Sequence, residues 1–259
     1  MQKHPAPFSE PIIAVLRELM KKEVKARVCD PFGGTGRVLD CVPPNSSVTI
    51  IDIEPSFIQE GLARVVTEDA YQALGKVEQL EHIGTLHPRG IKADWYSCDS
   101  RVVLRRRRTF THIITSPSYG NRFKDAFNPT PGRKCRGYAQ SVGGPLQEGN
   151  TGAYGLASDQ YTTINYEVMR AAVNRLIPGG TVIVNVSDFY KTFTKGAEPE
   201  RQQVVAWWID LLHDIGLHMY SATPVVTRRF KEGENRHRAE YEIVLVFRKE
   251  NTDVRTHTR

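Results

Sequence analysis

The chain has 259 residues, 40% of them hydrophobic, and its 35 Lys and Arg against 29 Asp and Glu give a formal net charge of +6. This length fits one domain with a full core better than two small domains, and the basic excess favours anionic partners without identifying them. The four cysteines are too few and too scattered for a disulfide framework, and none has the paired spacing of a zinc site. We therefore predict a reducing, cytoplasmic location.

Membrane insertion and secretion are also disfavoured by the hydropathy pattern. The first 20 residues, MQKHPAPFSEPIIAVLRELM, lack an uninterrupted apolar core followed by a small-residue cleavage site. No stretch approaches the roughly 20 apolar residues of a membrane span. We therefore expect a soluble protein without a membrane partner.

Predicted helices and strands alternate along the chain, which is typical of an α/β sheet. In the first half we predict a helix from Ser9, strands over 26–30 and 48–53, a helix over 56–74, and strands over 93–98 and 112–117. In the second half we predict a helix over 159–177, a strand over 181–189, a helix over 200–215, and strands over 218–226 and 241–249.

The last two predicted strands are joined by a polar segment rather than a helix, which indicates an antiparallel pair. The predicted fold is therefore a doubly wound α/β sheet of seven mostly parallel strands with a terminal antiparallel pair. Residues 120–158 and 228–240 interrupt the alternation, and long irregular segments of compact domains are usually functional or disordered. We expect one domain over residues 1–249, two insertions that contact substrate, and a flexible tail over 250–259.

The string DPFGGTGR, Asp30 to Arg37, directly follows the first predicted strand. Gly34 and Gly36 would let the backbone turn sharply and approach a ligand at the carboxyl edge of the sheet, where doubly wound folds bind cofactors. The dinucleotide-binding fingerprint is G-x-G-x-x-G, and Leu39 stands where its third glycine would be. A pyrophosphate-binding loop is therefore disfavoured. The carboxylate of Asp30 instead suits a ligand with a positively charged amino group.

Acidic residues also follow the next two strands. Asp52 is placed where a carboxylate can accept hydrogen bonds from ribose hydroxyls, and Glu54 is the weaker candidate. Asp99 is a candidate for contact with an adenine ring and equally a candidate helix cap. Taken together and in this order, the acidic residues make a stronger signal than any one of them.

DPFGGTG resembles the D-P-F-x-G-x-G motif of S-adenosylmethionine-dependent methyltransferases that act on amino groups of nucleic acids. The resemblance implies a Rossmann-like methyltransferase fold with S-adenosyl-L-methionine as cofactor. The implied cofactor-binding residues are Asp30, Pro31, Phe32, Gly34 and Gly36 around the methionine part, Asp52 at the ribose and Asp99 at the adenine.

The N-terminal HPAPF is similar to the segment that closes over the methionine end of the cofactor in these enzymes. The resemblance implies contacts from Pro5, Ala6, Pro7 and Phe8. A simple turn at the start of a helix explains the same residues equally well.

TSPSYG, residues 115–120, resembles the S-P-P-Y motif of DNA methyltransferases that modify exocyclic amines, particularly cytosine N4. Such an amine is a poor nucleophile, so acceptors must hold its hydrogens and localise its lone pair. The resemblance implies that Ser116 and the carbonyl of Pro117 accept, while Tyr119 stacks on a base flipped out of the duplex. Ser118 stands where the family has a second proline, and this loss of a fixed φ is expected to loosen the loop.

Basic side chains alternate with aromatic ones after this loop and recur near the end of the chain, a mixture suited to phosphate contact and base stacking. Solvated loops are the alternative. The candidate DNA contacts are Arg122, Lys124, Arg133, Lys134, Arg136, Arg228, Arg229 and Arg236. We expect no second domain for target recognition. Specificity for a DNA sequence would then come from these insertions or from a dimer partner, or it would be relaxed.

The pattern from about residue 3 to residue 248 resembles small DNA methylases of actinobacteria and their phages, enzymes of DNA methylation and restriction-modification. We therefore predict a methyltransferase acting on duplex DNA, with cytosine N4 favoured over adenine N6. One alternative is an RNA or tRNA guanine-amino methyltransferase, although those usually have Asp or Asn where Ser116 stands and a separate RNA-binding domain. Another is a catalytically weak accessory protein that binds nucleic acid, which Ser118 would favour.

Overall fold

A computed structural model of the protein describes residues 8–66, 82–106, 109–120, 142, 144–191, 198–227 and 239–251. The helices are Glu10–Met20 (α1), Pro55–Val65 (α2), Ser100–Leu104 (α3), Asp159–Asn174 (α4) and Val204–Asp214 (α5). The strands are Arg27–Asp30 (β1), Ser47–Asp52 (β2), His82–Leu86 (β3), Lys92–Ser97 (β4), Phe110–Thr115 (β5), Leu176–Val186 (β6), Phe189–Lys191 (β7), Glu200–Gln202 (β8), Leu217–Val226 (β9) and Tyr241–Lys249 (β10).

Eight of these strands form one sheet in the order β3-β4-β2-β1-β5-β6-β10-β9, and β7 and β8 form a separate pair. The five strands from β4 to β6 are parallel, whereas β10 is antiparallel to both β6 and β9. The predicted doubly wound sheet with a terminal antiparallel pair is therefore confirmed. The chain leaves β1 towards β2 and β4 and then returns to β5 on the other side, which makes the β1/β5 boundary the switch point where such sheets bind ligands.

The core lies on both faces of the sheet, because successive residues of the central strands point to opposite sides. Ile50 and Trp95 pack with α1 and α2, while their neighbours Ile51 and Tyr96 pack with residues of α3, α4 and α5. All four side chains are buried. A sheet covered on both faces explains why the central strands are continuous apolar runs in the sequence.

Several elements differ from the prediction. The helix predicted over 159–177 ends at Asn174, and the strand predicted over 181–189 begins at Leu176 and ends at Val186. The helix predicted over 56–74 ends at Val65, and Val66 has an extended backbone (φ −119°, ψ 159°). Consecutive β-branched residues disfavour helix there. Residues 200–202 form β8 against β7 instead of opening α5. The edge strand β3, which was not predicted, pairs antiparallel with β4 and brings the sheet to eight strands.

In the part of the chain that the structure describes, no helix is both long and apolar enough to cross a membrane. Cys29, Cys41 and Cys98 are free thiols there, and Cys135 lies outside the described residues. Within the same ranges, no group of three or more His, Cys, Asp and Glu side chains is arranged to hold a metal ion.

Candidate active site

A cleft opens beside the switch point, where the carboxyl ends of the parallel strands meet. Its empty volume is about 580 Å³, including the open solvent at its mouth. The lining residues follow β1, β2, β4 and β5 or belong to α2, to α4 and to the segment before α4. They are Pro31, Phe32, Asp52, Ile53, Phe57, Asp99, Ser100, Ser116, Ser118, Gly149, Asn150, Thr151, Ile164 and Val168.

The glycine-rich turn after β1 needs its glycines for two reasons. Gly34 and Gly36 have φ of +50° and +66°, the left-handed region that side chains rarely adopt. A Cβ at Gly36 would also lie 3.0 Å from Cζ3 of the buried Trp95 and closer still to its Cη2. Gly33, which the sequence analysis did not single out, packs so closely that a Cβ would lie 2.5 Å from Cγ2 of Ile50. The turn therefore packs directly against the sheet. In the sequence, the adjacent glycines Gly33 and Gly34 were the feature that could have indicated this close packing.

Asp52 ends β2 and lines the cleft. Its Oδ2 accepts a hydrogen bond from the Gly34 amide at 2.7 Å, and its Oδ1 accepts one from the Glu54 amide at 2.9 Å. Burial raises the pKa of Asp52 to about 7, against the two amide hydrogen bonds, which lower it. The carboxylate thus joins the glycine turn to the end of β2 at the wall of the cleft.

Asp30 lies deeper than the sequence suggested. It is 1% exposed, and its Oδ1 accepts hydrogen bonds from Thr115 Oγ1 at 2.7 Å and from the Phe32 amide at 3.2 Å. Burial raises the pKa of Asp30 to about 7, although both hydrogen bonds lower it. Asp30 does not line the described cleft, while its neighbours Pro31 and Phe32 do. Its contacts hold the ends of β1 and β5 together, and its pairing with a ligand amino group stays a prediction.

Stability should therefore depend on the ionisation of Asp30. Because its folded-state pKa of about 7 exceeds the ordinary value of 3.8, the folded protein retains this proton more strongly than the unfolded chain. The resulting stabilisation is fully present below about pH 4 and is lost as the pH rises to 7. At about 1.4 kcal/mol per pKa unit, the loss is at most about 4 kcal/mol.

We expect Asp30→Asn to decrease the fall in unfolding free energy between pH 5 and pH 8, as measured by urea denaturation. Asp52 keeps part of the slope, because its pKa is raised in the same direction. An unchanged slope in the variant would show that Asp30 is not the titrating group.

Asp99 is both a cleft residue and a helix cap. Its Oδ1 accepts a hydrogen bond from the Arg101 amide at 2.8 Å, which caps α3, and its Oδ2 pairs with Arg101 Nη2 at 2.5 Å. Burial acts to raise the pKa of Asp99, but the hydrogen bonds and charge of Arg101 outweigh it and hold the pKa below its usual value. The cap interpretation is confirmed, and adenine contact stays a prediction.

Glu54 holds a wall of the cleft in place. It is fully buried, and its Oε1 accepts hydrogen bonds from the Gln147 amide and from Asn150 Nδ2, both at 2.7 Å. Burial raises its pKa, against these two hydrogen bonds. The segment that it holds supplies three cleft residues, Gly149, Asn150 and Thr151. From the sequence this segment was predicted to contact substrate, and no pattern of residues in it indicates that it forms a wall of the cleft.

The loop after β5 contains the predicted catalytic residues, and it is tied down at the position where the family has proline. Ser118 Oγ donates a hydrogen bond to Thr151 Oγ1 at 2.8 Å, and the Ser118 carbonyl accepts one from the Tyr161 hydroxyl at 2.6 Å. Pro117 is buried, and Ser116 lines the cleft. These bonds hold the loop from both sides at the position where the missing proline is expected to loosen it.

Behind the loop lies a polar cluster that the sequence analysis missed. Tyr119 donates its hydroxyl hydrogen to Glu242 Oε2 at 3.2 Å, and Asn185 Nδ2 donates to the same oxygen at 2.5 Å. Ser116 Oγ donates to the Asn185 carbonyl at 3.2 Å. Glu242 lies on β10, 123 residues from Tyr119 in the chain, so no local motif could reveal it.

The remaining predicted contacts are not placed in the site. Phe8 is 7% exposed and packs in the core cluster with α1. The rest lie outside the described residues: Pro5, Ala6, Pro7, Arg122, Lys124, Arg133, Lys134, Arg136, Arg228, Arg229 and Arg236.

Neither a protein-family model nor a curated protein sequence matches the chain. Among solved structures it resembles precorrin-6y C5,15-methyltransferase from Geobacter metallireducens, with a TM-score of 0.50 at 10% identity over 96% of this chain and 93% of that one. TrmN from Thermus thermophilus aligns at 17% identity and a TM-score of 0.44 with 92% of this chain, which spans 48% of TrmN. N-methyltransferase NodS from Bradyrhizobium japonicum, solved with S-adenosyl-L-homocysteine, aligns at 14% identity and a TM-score of 0.48 over 94% of this chain and 88% of NodS. The fold is the Rossmann-like fold of methyltransferases, as predicted.

Proposed function

We propose that the protein is an S-adenosylmethionine-dependent methyltransferase that acts on an exocyclic amino group of a DNA base, with cytosine N4 favoured. One observation carries the proposal: a single cleft at the switch point is lined both by Asp52 and Asp99 and by Ser116 of the SPSY loop. Residues implied for the cofactor and residues implied for the target amine thus meet in one cavity. The Rossmann-like fold supports the same class of enzyme.

The cleft residues fit the proposed cofactor. Asp52 presents a carboxylate that can accept hydrogen bonds from ribose hydroxyls, as acidic residues after the second strand do in nucleotide-binding sheets. Ile53, Phe57 and Val168 add apolar surface for a flat ring such as adenine. When bound, S-adenosylmethionine supplies an electrophilic methyl group on a positively charged sulfur.

The SPSY loop would prepare the amine. Ser116 gives its hydroxyl hydrogen to the Asn185 carbonyl and accepts a long hydrogen bond from Asn185 Nδ2 at 3.4 Å, which leaves one oxygen lone pair as an acceptor for an amine hydrogen. The carbonyl of Pro117 is the second proposed acceptor, and the ring of Tyr119 would stack on the base. Two acceptors in one loop can hold both hydrogens of an exocyclic amine and localise its lone pair for attack.

The proposal is tested by incubating the purified protein with methyl-labelled S-adenosylmethionine and either duplex DNA or tRNA, then identifying methylated nucleosides by mass spectrometry. We expect N4-methylcytosine or N6-methyladenine from DNA. Tyr119→Ala should lower the rate about ten- to hundredfold, since loss of base stacking costs about 1–3 kcal/mol. Tyr220→Ala is the matched control, because Tyr220 lies on the edge strand β9 and is 63% exposed.

Each outcome assigns the substrate differently. Label found only in tRNA would contradict the DNA assignment and favour an RNA guanine-amino methyltransferase. Binding of the cofactor without any methyl transfer would contradict the enzymatic proposal and favour a nucleic-acid-binding accessory protein.

A further inference from the structure

A buried carboxylate lies at the end of the hydrogen-bond chain that begins at the SPSY loop. Glu242 is 3% exposed, and its Oε2 accepts hydrogen bonds from the Tyr119 hydroxyl and from Asn185 Nδ2. Asn185, 1% exposed, lies on β6 beside β10. Burying a carboxylate costs free energy unless its oxygens accept hydrogen bonds. The Tyr119 hydroxyl and the Asn185 amide satisfy this need only when their hydrogens point towards Glu242.

The carboxylate fixes the direction of each hydrogen bond. With Glu242 ionised, its oxygens only accept, so Tyr119 gives its hydroxyl hydrogen to Glu242 rather than to Ser116 Oγ, 3.4 Å away. Asn185 must likewise turn its NH₂ group towards Glu242. Among the described residues nothing donates to Asn185 Oδ1, which is buried, so the amide keeps this orientation at the cost of an unsatisfied acceptor.

Ser116 is at the other end of the chain. Its hydroxyl hydrogen goes to the Asn185 carbonyl at 3.2 Å. The Tyr119 hydrogen is held by Glu242, so it does not occupy the lone pairs of Ser116. Asn185 Nδ2 also lies 3.4 Å from Ser116 Oγ and donates to one of its lone pairs, so the second lone pair remains as an acceptor for a donor in the cleft that Ser116 lines.

We propose that Glu242 is a positioning residue that polarises the Tyr119–Asn185–Ser116 network and thereby keeps Ser116 an acceptor for the hydrogens of the target amine. The proposal rests on the proposed methyltransferase function. Glu242 itself touches neither substrate nor cofactor in this scheme, and acts through Tyr119 and Asn185.

Glu242→Gln tests the charge with little change in shape. Because Asn185 Nδ2 donates to the same oxygen as Tyr119, the glutamine amide oxygen takes the place of Oε2 and accepts both bonds as a neutral group, so the charge that polarises the network is removed. We expect kcat to fall about ten- to hundredfold, with KM for the cofactor within twofold of the wild-type value. The aspartate of Glu242→Asp keeps the charge and still only accepts hydrogen bonds, so this variant should retain more activity than Glu242→Gln. It also provides a test of the proposal if the glutamine variant does not fold.

The matched control is Asp94→Asn on β4. Asp94 is also a buried carboxylate that accepts a hydrogen bond from a hydroxyl, that of Thr85, but it does not line the cleft. We expect its kcat to stay within twofold of the wild-type value. A merely structural role of Glu242 predicts equal activity losses in its two variants and a rise in KM.

A second readout does not depend on catalysis. In protein labelled with ¹³C at Cζ of tyrosine, the Tyr119 resonance, identified by its absence in Tyr119→Phe, should shift in Glu242→Gln and stay in place in Asp94→Asn. An unchanged Tyr119 resonance, or a kcat of Glu242→Gln within twofold of the wild-type value, would overturn the proposal. If the wild-type protein transfers no methyl group, the proposed function fails, while the resonance still decides whether Glu242 holds Tyr119.

Discussion

Replacing Gly36 with alanine should lower the unfolding free energy by about 2–5 kcal/mol. Two costs combine at this position. The left-handed φ of +66° costs a residue with a Cβ about 1–2 kcal/mol, and a Cβ there would overlap the ring of the buried Trp95. Overpacking a close-packed core costs a further ~1–3 kcal/mol. Urea denaturation at constant pH measures the sum.

Gly90→Ala separates the two costs. Gly90 has a similar φ of +75°, but a Cβ there would meet nothing within 4 Å. We expect this variant to lose only about 1–2 kcal/mol, the backbone cost alone. Equal losses in the two variants would mean that the contact between the glycine turn and Trp95 contributes nothing.

Asp52→Asn should weaken binding of S-adenosylhomocysteine at least tenfold at pH 8 and remove most of its dependence on pH. In the free protein the pKa of Asp52 is about 7. Hydroxyl donors stabilise the charged form, so binding lowers this pKa and releases a proton wherever Asp52 is protonated. Wild-type affinity should therefore rise about tenfold between pH 6 and pH 8 and then level off.

Isothermal titration at pH 6, 7 and 8, in two buffers with different ionisation enthalpies, measures both the affinity and the number of protons released. Asp94→Asn is the control, because it removes a buried carboxylate that does not line the cleft. Unchanged affinity and proton release in Asp52→Asn would rule out contact between Asp52 and the ribose.

The central strands could be predicted because the sheet is covered on both faces, which requires continuous apolar runs such as that of β2. Strand β3 escaped prediction because an edge strand needs no such run, and HIGTL contains a glycine and only two strongly apolar residues. The helix limit at Val65 was missed because the prediction followed hydrophobic spacing, whereas the consecutive β-branched residues at this point disfavour helix.

Residues of the site could be predicted only where they lie within a recognisable sequence motif or directly after a predicted strand. Asp52 and Ser116 follow buried strands directly, so their positions at the carboxyl edge could be inferred. Glu242 and Asn185 could not, because they meet the loop through the pairing of β10 with β6, and that register is not readable from either strand alone. Asp99 could be placed, but its bond to Arg101 had to be seen in the structure.

The position of β10 in the chain also has a consequence for how the molecule is made. The cleft residues that the structure describes all lie between Pro31 and Val168, whereas Glu242 belongs to β10, the last described strand. During synthesis from the N-terminus, these cleft residues leave the ribosome before β10, which carries the hydrogen-bond acceptor of Tyr119, has been made. A nascent chain would thus carry the residues that line the cleft before Glu242 is available to accept the hydrogen bond of Tyr119.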